Sequence, residues 1–145
     1  MSRRNLIDGL VTSLRSASGF SNAEGGTVVA YDHRVLSTGV ARAAIVLASR
    51  ADLSDMAIKI QRRDHYLTVQ VLVRHANDVV AARQAADTAV DAVLARIQDD
   101  WTLGGSAHLA VVTETSVQDE HLEIGRVAFL LEEITVRATG LRTGA

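Results

Sequence analysis

Met56, Ile58 and Ile60 alternate with Ala57, Lys59 and Gln61, and Leu67, Val69, Val71 and Val73 alternate with Thr68, Gln70 and Leu72. The polar Arg62–Asp64 lies between the two runs. A period of two is the pattern of a strand with one buried face, because a slip of one residue would turn every apolar side chain to water. These runs predict a β-hairpin turning at Arg62–Asp64, with one side facing a core. A sheet of that kind needs a covering layer, so the rest of the chain must supply it.

Two stretches have the right period for the cover. Leu6, Ile7, Leu10, Val11 and Leu14 share one helical face, which predicts a helix near residues 3–16. Ser2 is its N-cap, and Ser16 to Gly19 end it with small residues. A longer helix is predicted near 78–98, capped by Asn77 or Asp78, with the stripe Val79, Ala82, Ala86, Val90, Val93, Leu94 and Ile97. Alanine in that stripe lets the helix lie close to a sheet. Arg83 and Asp87, four apart, can pair on its wet face. Trp101 is expected to pack over its end, and Gly104-Gly105 to turn the chain back.

The remaining apolar runs read as strands. Thr27–Tyr31 follows a loop at Asn22–Gly26, and the continuous run Ala43–Ala48 predicts a strand buried on both faces. Asp32–Val40 is irregular. His108–Thr115 and Ile124–Arg137 are the last two strands, joined by an exposed acidic loop at Val117–Glu123. The apolar parity shifts near Leu131–Glu133, which suggests a bulge in the final strand. Gly140–Ala145 is expected to be a frayed tail. The expected order is α-β-β-β-β-α-β-β: an α+β fold, a mainly antiparallel sheet with two main helices packed on one face. There is no linker or repeat, so residues 1–145 are read as a single domain.

Composition removes several function classes. The 145 residues include no cysteine, which excludes a disulfide framework, a thiolate metal site and a cysteine nucleophile. No apolar run approaches the roughly 20 residues of a membrane span, and Asn5, Asp8 and Gly9 interrupt what would be a signal peptide. No membrane partner is expected. A net charge of −2 lacks the footprint of a dedicated nucleic-acid binder. The charge is nevertheless uneven: the balance is +3 over residues 1–50, zero over 51–98 and −5 over 99–145. Such a gradient suits copies that join unlike surfaces.

The spacing of the chemistry-bearing residues forms no recognised site. His65 and His75 stand ten residues apart on one strand, roughly 33 Å, too far to share an ion. Asp119, Glu120, His121 and Glu123 match no ligand template, and Asp32-His33 suits a turn. Ser106 follows a helix and opens a strand, the reverse of a nucleophile elbow. The Gly-Gly pairs at 25–26 and 104–105 lack a phosphate-cradling pattern. Glu132 and Glu133 are neighbours on a strand and point to opposite faces. No catalytic residue, metal or cofactor is expected, and the chain does not read as an enzyme.

The candidate contact residues are charged and lie in predicted turns. Arg62 and Arg63 occupy the hairpin tip, and Arg34 and Arg42 flank Gly39. Asp119 and Glu120 lie in the acidic loop. Arginines there suit a partner's acidic patch or a phosphate. No aromatic side chains accompany them for stacking on single-stranded nucleic acid.

Taken together, the order of elements resembles the tail terminator (tail completion) proteins of long-tailed bacteriophages and related gene-transfer particles. The resemblance lies in the opening helix Leu6 to Leu14, the early strand running through Val29 and Tyr31 to Arg34, and the Arg62–Asp64 hairpin with its return Leu67–Val73. It continues in the alanine-rich helix, the stretch Asp99 to Gly105 with Leu103-Gly104-Gly105, and the last strand from Gly125 through Phe129 and Leu131 to Val136. It covers nearly the whole chain.

The resemblance implies a structural virion protein without catalytic residues. Such a protein forms a homohexameric ring on the head-proximal end of the tail tube, stops polymerisation, and presents a surface to the head–tail connector protein. Its implied partners are itself, the tail tube protein and the connector. DNA passes through the lumen without specific binding. The implied location is the virion, after assembly in the host cytoplasm. A head-closure, neck or tail-tube-like protein remains an alternative, as does a small ligand-binding module or enzyme using the Asp32-His33 or Asp119–Glu123 segments.

Overall fold

The structure is a computed structural model that describes residues 2–32, 39–57, 60–75, 78–124 and 126–143. Its elements are α1 (Arg3–Leu14), β1 (Gly26–Ala30), β2 (Arg42–Ala57), β3 (Ile60–Arg74), α2 (Val79–Asp99), β4 (Leu109–Ile124) and β5 (Val127–Thr143), with a 3-10 turn at Asn22–Glu24. The strands form one sheet in the order β1-β2-β3-β5-β4. Only β1 and β2 are parallel; the other neighbours are antiparallel. This is an α+β fold with an antiparallel-dominant sheet and two main helices on one face.

The caps lie where side-chain chemistry places them. The Asn5 amide donates to Ser2 Oγ at 3.1 Å, and the Ala81 amide donates to Asp78 Oδ1 at 3.1 Å. Each bond satisfies one of the amides that a helix start leaves without an intrahelical partner. α1 buries Leu6, Ile7, Leu10, Val11 and Leu14; α2 buries Ala82, Ala86, Ala89, Val93 and Ile97. They meet Val28, Ala44, Val46, the odd residues Leu67 to Val73 of β3, and Ile134, Val136 and Ala138 of β5. Burying each large aliphatic side chain contributes about 1.5–3 kcal/mol, so this cluster is the principal stabilising unit. Arg96 joins the helices by donating from Nε to the Ser13 carbonyl at 2.9 Å.

A second apolar cluster lies on the opposite face of the sheet. Ala43, Ile45, Leu72 and Phe129 are fully buried there, with Val29, Val40, Leu47, Leu122, Ile124, Val127 and Leu131 packed around them. Of the run Ala43–Ala48, Ala43 to Val46 are buried on both faces, whereas Leu47 is half-buried and Ala48 is exposed.

Several expectations are corrected. The runs Ala43–Ala48 and Met56–Gln61 are not separate strands: residues 42–57 form β2, and β3 begins at Ile60. Arg62–Asp64 is not a turn, because Arg62, Arg63 and Asp64 pair with Ser54, Leu53 and Asp52 on one side and Leu141, Gly140 and Thr139 on the other. Val117–Glu123 is not a loop but lies within β4. β5 carries no bulge against β3; the register shifts lie in β4, between Val112 and Glu114 and between Val117 and His121. The apparent parity change in β5 arises because Phe129 and Leu131 serve the second cluster while Ile134, Val136 and Ala138 serve the first.

The ends of two elements also differ from the sequence pattern. Gly140 to Thr143 belong to β5 rather than to a frayed tail. Trp101 is 53% exposed; Leu103, 1% exposed, fills the space at the end of α2. Leu103, Gly104 and Gly105 all have positive φ (50°, 68° and 91°), which turns the chain tightly under that leucine. Val79 is also exposed, so the buried stripe of α2 begins at Ala82. No helix among the described residues is long and apolar enough to cross a membrane.

Candidate functional site

The sheet outgrows its cover. Ala48 to Asp55 of β2 are all exposed, and alongside them run the start of β3 and the end of β5. These strands form an arm beyond the helices. A register shift between Ala48 and Arg50 changes which face each β2 side chain takes, so the arm presents two distinct surfaces.

On the face away from the helices the arm carries a polar ladder. Arg50 Nη1 bonds both Asp52 oxygens at 2.8 Å, and its guanidinium lies 3.9 Å from the centre of the Tyr66 ring. Arg62 Nε donates to Asp64 Oδ1 at 3.2 Å, and Thr139 Oγ1 donates to the same oxygen at 2.7 Å. Burial alone would raise the Asp64 pKa. The bonds from Thr139 and Arg62, with the charges of Arg62 and Arg137, outweigh burial and hold it below the usual value. The helix-side face carries Leu53, 58% exposed, opposite Arg63, whose Nε donates to Gln61 Oε1 at 2.9 Å. His65 lies where the arm meets the core, 8% exposed, between Ala51 and Ala138. Neither ring nitrogen has a hydrogen-bond partner. Burial, followed by the charges of Arg63, Arg3 and the N-terminal amine, lowers its pKa; Asp64 opposes them.

The structure describes the side chains of three of the six candidate contact residues, Arg42, Arg62 and Arg63. Arg34 lies outside the described residues. Arg42 opens β2 and is used within the chain: its Nη1 donates to the Gly19 carbonyl at 2.8 Å and the Glu24 carbonyl at 3.3 Å, tying down the loop before β1. Arg62 and Arg63 are adjacent in β3 and so point to opposite faces of the arm. Asp119 and Glu120 fall in the second irregularity of β4; their side chains lie outside what is described. Sequence reading missed the ladder. The alternation of arginine and aspartate at Arg50/Asp52 and Arg62/Asp64 was its available signal.

Clefts also lie outside the arm. One, about 1130 Å³, lies between α1, the end of α2 and the turn that follows, and is rich in hydroxyls from Thr12, Ser13, Ser16, Thr102 and Ser106. Asp100 at its floor accepts from the Gly104 amide at 2.9 Å and faces Arg96 at 3.7 Å. The Gly104 bond is the main cause of its lowered pKa; burial opposes it, and Ser13 and Arg96 add to it. The second cleft, about 400 Å³, is acidic, with Asp87, Asp91, Glu132 and Glu133 against Thr115 to Val117. Burial and the neighbouring Asp87 raise the Glu132 pKa, against the opposing charge of Arg83. Among the described residues no group of three or more histidine and carboxylate side chains is arranged to hold a metal ion.

Both margins of the sheet are open among the described residues. β1 covers β2 only from Arg42 to Val46, and β4 pairs with β5 alone. Tyr31, directly after β1, is left-handed, φ 73°, and among the described residues no strand pairs with this side of β2 beyond Val46. Compared with protein-family models and with curated proteins, the chain matches none.

Proposed function

We propose that this chain is a tail terminator: a structural protein that caps the head-proximal end of a tail tube as a homohexameric ring, stops its growth and joins it to the head–tail connector. The observation that carries the reading is the sheet itself, which projects an arm past its helices and, among the described residues, is open along both margins. Strand edges of this length are a hazard for a solitary molecule and an asset for one that lives in an assembly. Strands carrying little of the core can be spent on contacts with neighbours. The resemblance supports the rest: the opening helix, the order of elements along the chain, and Leu103-Gly104-Gly105 after the second helix.

The division of charge agrees with this role. β4 contains Glu114, Asp119, Glu120 and Glu123 and no lysine or arginine, whereas α1 opens with Arg3 and Arg4. A heterologous interface joins unlike surfaces and closes into a ring when its rotation divides the circle. A lumen that does not grip phosphate lets DNA pass. The protein acts without catalysis, metal or cofactor.

Deletion of the gene tests this. Electron microscopy of particles lacking the protein should show tubes of uncontrolled length or tails that fail to join heads. Tails of normal length attached to full heads would end the reading.

A further inference from the structure

The two open margins differ in chemistry. Where β1 ends, the outer edge of β2 emerges beside α1, and Arg3, Arg4, Ile7, Tyr31, Leu47, Ala48 and Ser49 line a shallow cleft at its start. Arg3 and Arg4 are exposed, and so is Tyr31. From this cleft the edge continues along Arg50 to Asp55, all exposed. It contains no proline, no lysine and no bulge between Arg50 and Asp55, so its backbone groups are presented in a regular row. The opposite margin is β4, where Glu114 and Glu123 are exposed. Its two register shifts divide it into the regular runs Leu109–Val112, Glu114–Val117 and His121–Ile124.

We infer that the β2 edge, together with Arg3 and Arg4, receives the β4 edge of a second copy of this chain, so that the sheets of neighbouring copies join margin to margin. The inference rests on the head-to-tail association proposed above and names the surfaces that make it. Main-chain pairing of two strand edges supplies affinity without demanding particular side chains. Charge then supplies direction: a carboxylate of β4, Glu114 or Glu123, meets the arginines that open α1, the β2 edge adds Arg50 against Asp52 and Asp55, and two β4 edges repel each other. The β4 bulges limit pairing to short runs, so the contact is reversible and salt-sensitive.

Charge exchange tests it. The wild-type chain at millimolar concentration should sediment as an oligomer in low salt and shift towards monomer in high salt. Arg3→Glu with Arg4→Glu, and separately Glu114→Arg with Glu123→Arg, should each yield a monomer with an unchanged circular dichroism spectrum. An equimolar mixture of the two should regain the wild-type sedimentation, because each reversed margin then meets a complementary one. A wild-type monomer at that concentration, either variant assembling alone like the wild type, or a mixture that stays monomeric would overturn the inference.

Should a variant fail to fold, the absence of natural cysteine offers a second measurement. A chain carrying both Ser54→Cys and Thr115→Cys, treated with a short bis-maleimide, should give a ladder of multimers, and each single variant none. Dimers from a single variant would indicate like edges meeting and would overturn it, as would a double variant without a ladder. If edge pairing fails while tails still require the protein, the terminator reading stands. If tails form normally without the protein, that reading falls whatever the edges do.

Discussion

Thr139 Oγ1 donates a hydrogen bond to Asp64 Oδ1 at 2.7 Å, linking β5 to β3 in the arm, 75 residues apart in the chain. Arg62 donates to the same carboxylate from its own strand. The Asp64 pKa is lowered in the folded state, so the stabilisation is present above the unfolded pKa and is lost as pH falls through the folded one. Thr139→Val should therefore cost about 1–2 kcal/mol at neutral pH. The difference should shrink as acid protonates the folded carboxyl, as urea unfolding over a descending pH series will show. A destabilisation that stays constant until the protein unfolds in acid would mean that the charge on Asp64 plays no part.

Gly9 is a helix-interior glycine that packing requires. A Cβ there would lie 2.5 Å from Ser106 Oγ and 2.9 Å from the Leu103 carbonyl. In an unobstructed helix, alanine for glycine stabilises by about 1 kcal/mol. Here Gly9→Ala should destabilise by about 1–3 kcal/mol, since the turn after α2 must be pushed off α1. Thermal unfolding of the variant decides the sign.

Arg42 ties the loop before β1 to the start of β2. Arg42→Met keeps much of the side chain's apolar length but removes its bonds to the carbonyls of Gly19 and Glu24. The loss should be about 1–3 kcal/mol, as for hydrogen bonds made by a charged group. Self-association, compared under conditions where the variant remains folded, should be unchanged.

His65 makes folding sensitive to mild acid. Its pKa is lowered by burial, by Arg63, by Arg3 and by the N-terminal amine, and Asp64 alone opposes them. At high pH the ring is neutral in both states. As pH falls below the ordinary value of 6.5 the unfolded chain takes up a proton that the folded one resists, so stability declines. His65→Leu should remove that decline, leaving the variant more stable relative to wild type at pH 5.5 than at pH 7.5. A constant difference between the two pH values would contradict this.

The fold class was legible because its determinants are local. The periodicities of Leu6 to Leu14 and Leu67 to Val73, and the caps at Ser2 and Asp78, specify their elements without reference to distant residues. The errors share one cause. Arg62–Asp64 and Val117–Glu123 are polar stretches of strand outside the core, and polarity without burial reads as turn or loop. Only pairing with Ser54, Thr139 or Leu130 reveals them as strand, and pairing is not written in neighbouring residues. Phe129 and Leu131 misled for a related reason, since a sheet with apolar clusters on both faces shows both parities. At the candidate site the chemical types were legible and their roles were not. Arg42 reaches a carbonyl 23 positions away, and Arg62 and Arg63, adjacent in sequence, take opposite faces.

The most direct test of the central claim is the length of tubes assembled from the purified tail tube protein of the same particle, measured by electron microscopy with and without this chain. Tubes should stop growing when the chain is added, and gold-labelled chain should mark one end of each tube. Unchanged length distributions, or label scattered along the tube wall, would contradict the account.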